Sequence, residues 1–160
     1  MRRSLLTVIV SIVINSIAFG CSCNQLDWAN WSVEAVGRNI DNSELVIIAE
    51  LVCNEEYSYV FRVKEVFKGE VVAGDTLIGY YVESCDGFPN PLRDKEWIFY
   101  GSYGIDNGKE YLSYFTCGLT RSLMYSVIYS AEEHIKQWEV ELDILNEKTN
   151  KNISFQLSKK

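Results

Sequence analysis

The chain is poor in the residues that most enzymes depend on. It has one histidine, two prolines and two methionines among 160 residues. A single imidazole excludes sites built on paired histidines. That histidine, His134, falls on the polar side of a helical pattern and reads as a solvated residue. No HExxH, GxSxG or glycine-rich phosphate loop occurs. Carboxylates are many but scattered, and no spacing pairs two of them for acid–base work. An enzyme is therefore not expected. Basic charge is also short. Fifteen Lys and Arg face 22 Asp and Glu, a net charge of −7. Nucleic acid, which wants a basic face, is excluded as a partner, as is electrostatic adhesion to anionic lipid.

Long apolar runs are absent too. The most apolar stretch, Leu5 to Ile14, is broken by Thr7 and Ser11. It is shorter than the roughly 20 residues that cross a bilayer. Arg2 and Arg3 precede it, and the small-x-small sequence Ala18-Phe19-Gly20 follows. This is the layout of a secretory signal peptide, so residues 1–20 are set apart from the fold. The rest suits one domain over 21–148 with a polar tail, 149–160. The whole chain's hydrophobic fraction of 48% and aromatic fraction of 13% are enough for a packed core.

"SVEAVGRN" (32–39) suggests a short helix. "SELVIIAELVC" (43–53) reads as a strand, with Leu45, Ile47, Ala49, Leu51 and Cys53 on one face and Glu50 on the other. "EYSYVFRVKEVF" (56–67) alternates until its phase slips at Val66-Phe67, which suggests a bulge or bend. "TLIGYYV" (76–82) is a third strand, bending at Gly79. "CDGFPNPLRD" (85–94) holds both prolines and is a loop. "KEWIFYGS" (95–102) and "EYLSYFT" (110–116) form a hairpin around Asn107-Gly108.

"SAEEHIKQWEVELDILNEK" (130–148) is the strongest helix. Ser130 and Glu133 make a capping box. Ala131, Ile135, Trp138, Leu142 and Leu145 form one apolar stripe, with Glu132, Glu139, Glu141 and Asp143 off it. Beyond Lys148 the tail is expected to fray. The fold class is thus mainly β with flanking helices. Five strands and an amphipathic C-terminal helix suggest a small OB-type barrel. A five-stranded sandwich has the same periodicity.

All five cysteines lie beyond the leader: Cys21, Cys23, Cys53, Cys85 and Cys117. Cys21-Ser22-Cys23 has no second ligand pair to complete a zinc site, and a redox dithiol would be CxxC. In an exported chain the remaining reading is structural disulfides. Cys21 and Cys23 are too close to bond each other without strain. Each then reaches a distant partner, and each bridge contributes about 4 kcal/mol in the chain-entropy model. Two such bridges would fasten a terminus that normally frays, which marks the terminus as the working part.

The order of "CSC", "SELVIIAELV", "YVFRVKEVFKG", "GDTLIGYYVESCDGF", "KEWIFYG" and "YLSYFTCGLTRSL" resembles the N-terminal domain of the tissue inhibitors of metalloproteinases, within the netrin-like superfamily. It is most similar to bacterial exported proteins carrying that domain. The resemblance implies a five-stranded OB-fold Greek-key barrel. It implies disulfides Cys21–Cys85 and Cys23–Cys117, with Cys53 unpaired; Cys53 ends an apolar strand face, so a buried free thiol is expected there. It implies an inhibitory ridge of Cys21, Ser22 and Cys23 beside Val82, Glu83, Ser84 and Cys85. There the α-amine and carbonyl of Cys21 would chelate the catalytic zinc of a partner protease, and Ser22 would enter its specificity pocket. The chain would hold no cofactor or metal of its own and would be a secreted or periplasmic monomer. Two features of the animal inhibitors are missing, a proline shortly after the second cysteine and the third disulfide.

A different reading starts at the same atom. Cys21 stands where a lipobox cysteine would, so the chain could be a non-inhibitory binding or structural module of the cell envelope, lipidated and membrane-anchored at Cys21. Trp28 and Trp31 are aromatic candidates for another partner's site. Asn30-Trp31-Ser32 and Asn152-Ile153-Ser154 match the glycosylation sequon, which has meaning only in a eukaryotic source.

Overall fold

The computed structural model describes residues 27, 30–55, 58–80, 95–106, 108–114, 118–123, 131–155 and 157. The leader, the ridge residues Cys21, Ser22, Cys23, Val82, Glu83, Ser84 and Cys85, the bridge partner Cys117, Trp28 and Ser130 lie outside them. Among the described residues no helix is long and apolar enough to cross a membrane.

Helix α1 (Val33–Asn42) begins at Ser32, whose Oγ accepts from the Ala35 amide at 3.1 Å. That bond satisfies one of the open donors of the first turn. Ala35, Val36 and Ile40 form its buried side. Strands β1 (Leu45–Asn54), β2 (Ser58–Lys68), β3 (Thr76–Tyr80), β4 (Glu96–Asp106), β5 (Lys109–Tyr114) and the two-residue β6 (Arg121–Ser122) follow, and then helix α2 (Ala131–Thr149). The six strands make one sheet in the order β1-β2-β3-β5-β4-β6, and β1 also pairs with β4. The pairings β1–β2–β3–β5–β4–β1 therefore return to their start. All are antiparallel except β3–β5, which is parallel and meets at Gly79 and Leu112.

The expected helices and five strands are all present, with ends shifted by a few residues; β6 is additional. The phase slip in the second strand is a bulge. Val46 pairs with Lys68 and Ile47 with Val66, which leaves Phe67 as the extra residue. The β4–β5 hairpin closes at Asp106 and Lys109, and Gly108 takes the positive φ of 75° that its turn requires.

Strand β1 shows how the core is divided. Leu45, Ile47, Ala49 and Leu51 face one cluster with Tyr59, Phe61, Val63, Phe99 and Leu112. Phe61 and Phe99 meet edge to face there, 4.6 Å apart. Val46 and Ile48 face the other way, into a cluster with Ala35, Val36, Ile40, Ile98, Tyr100, Trp138 and Leu145. The run "LVIIA" is therefore buried on both faces, which explains its unbroken apolar character. Gly79 allows a close approach: any side chain there would collide with the ring of Tyr59.

Helix α2 corrects the sequence reading in three ways. Its buried positions are His134, Trp138, Glu141 and Leu145, while Ile135 and Leu142 are half-buried. The buried stripe is rotated from the expected one, keeping Trp138 and Leu145. His134, expected in solvent, is 8% exposed, and Glu141, expected off the stripe, is fully buried. The described part of the tail, 149–155 and 157, is not frayed. Asn150 adopts φ 53°, its amide donates to Glu147 O, and the Lys151 amide donates to Asn146 O. These two bonds form a Schellman cap that reverses the chain. Ile153, Phe155 and Leu157 then pack on the helix-side cluster. Trp138 Nε1 donates to Phe155 O at 3.2 Å, and Asn146 exchanges two hydrogen bonds with Ile153.

Candidate functional site

The described residues hold the roots of the expected ridge rather than the ridge. Asp27 lies four residues beyond Cys23, Tyr80 two before Val82, and Leu119 two beyond Cys117. Cys53 is a free thiol and only half-buried at the end of β1.

Helix α1 gathers two of these roots. Arg38 Nη2 donates to Asp27 Oδ1 at 3.1 Å, and Asn39 Nδ2 donates to Asp27 Oδ2 at 2.8 Å. Asn39 Oδ1 accepts from the Leu119 amide at 3.0 Å. Asn39 Nδ2 also donates to Ala35 O at 2.8 Å, one turn back in its own helix. A backbone amide can only donate and a carbonyl or carboxylate can only accept, so these partners fix which way the Asn39 amide points. One side chain thereby fastens Asp27 to Leu119. A cleft of about 580 Å³ opens beside this junction, lined in part by Asp27, Arg38, Ser43, Ser102 and Tyr114.

Beneath it lies a buried charge. Glu141 Oε1 accepts from Tyr100 Oη at 2.6 Å and from Arg121 Nη1 at 3.1 Å. Its Oε2 accepts from Arg121 Nη2 at 2.7 Å and from Trp31 Nε1 at 2.9 Å. All the acceptor positions of a carboxylate are thus used, by one bidentate guanidinium and two neutral donors. Burial, reinforced by the Glu141 carboxylate, pushes the Tyr100 phenol well above its ordinary pKa, so it stays a donor. Trp31, a candidate partner contact from sequence, is half-buried and directs its indole N–H inward to this carboxylate. The network ties the segment before α1, strand β4, strand β6 and helix α2 together. Its carboxylate is fully covered.

His134 sits two turns before Glu141 on α2, with Nε2 3.1 Å from Leu123 O. The carbonyl only accepts, so Nε2 carries the proton. Desolvation holds the imidazole pKa below its usual value, and Arg121 acts in the same direction; the Leu123 carbonyl and Glu141 oppose it. Among the described residues no group of three or more His, Cys, Asp or Glu side chains could hold a metal ion.

Sequence reasoning missed Asn39 and Glu141. Asn39 carries no pattern of its own and acquires a role only through contacts 12 and 80 residues away. Glu141 could have been found. It lies three residues after Trp138 and four before Leu145, on the face of the most apolar helix positions. No protein-family model matches this chain, and no curated protein matches its sequence.

Proposed function

We propose that the chain is an exported OB-type domain that inhibits zinc metalloproteases through its mature amino terminus, as the tissue inhibitors of metalloproteinases do. The pairing order β1–β2–β3–β5–β4–β1, with its parallel β3–β5 contact, supports the barrel. The observation that carries the functional reading is the junction at α1. Asp27 and Leu119 meet on the Asn39 side chain, and a Cys23–Cys117 bridge would require the two segments to be neighbours at this place.

The chemistry follows from the atom placed at the terminus. An α-amine has a pKa of about 7.7–8.0, so part of it is neutral near pH 7 and can displace a zinc-bound water. The Cys21 carbonyl would take a second position on the metal. A disulfide-fastened terminus loses little further freedom on binding, which lowers the entropic cost of association. Ser22 would point into the protease's specificity pocket, with Val82, Glu83 and Ser84 alongside.

The test is an inhibition assay on a purified zinc-metalloprotease catalytic domain. The mature chain beginning at Cys21 is expected to inhibit, and the same chain with one alanine added before Cys21 is expected not to. Equal potency of the two forms would refute amine ligation.

A further inference from the structure

We propose that Asn39 is the positioning residue of the amino-terminal segment: a non-covalent clamp that places the chain entering Asp27 independently of the disulfides. This inference rests on the inhibitor reading for its consequence and on the α1 geometry for its content.

The clamp has the features of a built device rather than an incidental contact. Asn39 stands on a helix that is capped at Ser32 and buried along Ala35, Val36 and Ile40, so its backbone is held. Its amide is filled on both sides by Asp27, Ala35 and Leu119. Asp27 is itself enclosed, with 16% of its side chain exposed, and receives a second donor from Arg38. A turn follows directly, in which the Asn30 amide donates to Asp27 O at 3.2 Å. The chain before Asp27 therefore departs from a point fixed by two charge-assisted bonds, which are the stronger class. The junction forms from backbone and side-chain groups alone. It can thus assemble before any cysteine is oxidised, bringing the chain after Cys23 to the chain after Cys117 in advance of the bridge.

Two variants separate this role from general stability. Asn39→Asp keeps an acceptor for the Leu119 amide but sets a carboxylate against Asp27. The double variant Asp27→Asn, Asn39→Asp restores a donor–acceptor pair with the roles exchanged. Amide hydrogen exchange on the full mature chain reads both sides of the clamp. In Asn39→Asp the Asn30 amide is expected to exchange at least about tenfold faster, the factor that losing a charge-assisted hydrogen bond implies. The Leu119 amide is expected to keep its protection, and the double variant to recover part of the Asn30 protection, since the bond to Ala35 O and the charge at residue 27 do not return. Inhibition of the same protease catalytic domain should weaken about tenfold in Asn39→Asp and recover in part in the double variant. Unchanged Asn30 exchange, parallel loss at Asn30 and Leu119, or inhibition that ignores the exchange of roles would each overturn the clamp. If the unaltered chain inhibits no zinc protease, the inhibitor reading falls alone, and the exchange data still decide for or against the clamp.

Discussion

Glu141 shows what a single residue can hold together. A fully buried carboxylate costs several kcal/mol to desolvate, and only complete pairing offsets that cost. Here Arg121, Tyr100 and Trp31 supply every bond. A buried pair of this kind is a weak source of net stability but a strong constraint, because removing one partner strands the rest. Glu141→Ala would leave the Arg121 guanidinium, with 16% of its side chain exposed, beside an apolar gap. It is expected to lower unfolding free energy by about 3–5 kcal/mol in urea titrations. A loss below about 1 kcal/mol, typical of exposed pairs, would show that the network is not closed as described.

At the scale of elements, helix α2 combines a stripe, a cap and a strap. Trp138 and Leu145 anchor the stripe, and Asn150 turns the chain so that Ile153, Phe155 and Leu157 pack on the helix-side cluster, Phe155 edge to face with Trp138. In sequence that tail reads as polar; the turn that brings its three apolar residues back depends on one asparagine in the left-handed region. The stripe itself was misplaced because a histidine and a glutamate were read as solvent-facing on polarity alone. His134 gives this element a pH dependence. The groups facing it are Leu123 O, Arg121 and Glu141. Its folded pKa lies below the unfolded value of about 6.5, so the unfolded chain binds the extra proton first. Stability is therefore complete above about pH 6.5 and falls as the pH drops below it, toward the folded pKa. Urea titrations at pH 7.5 and pH 5.5 should show a loss in the native chain that is smaller in His134→Gln. An equal loss in both would place the sensitive group elsewhere.

For the whole molecule, local pattern and long-range assembly were unequally legible. Alternation located β1 to β5, Asn107-Gly108 located the hairpin, and the slip at Val66-Phe67 located the bulge, because each is a statement about neighbours in sequence. The β1–β4 and β3–β5 pairings join segments about 50 and 30 residues apart, and no periodicity encodes which strand edge meets which. The candidate site divides the same way. The cysteine motif was evident at once; the junction of Asp27 and Leu119 on Asn39 required the fold. The account as a whole turns on one nitrogen, that of Cys21. A free amine can ligate zinc; an acylated one cannot, and a thioether at Cys21 would also rule out the proposed Cys21–Cys85 bridge. Intact-mass spectrometry of the mature protein, purified from its native host without reduction, decides between them. The account predicts a chain beginning at Cys21 with no added lipid and a mass four hydrogens below the fully reduced value. A diacylglyceryl mass on Cys21 would contradict it.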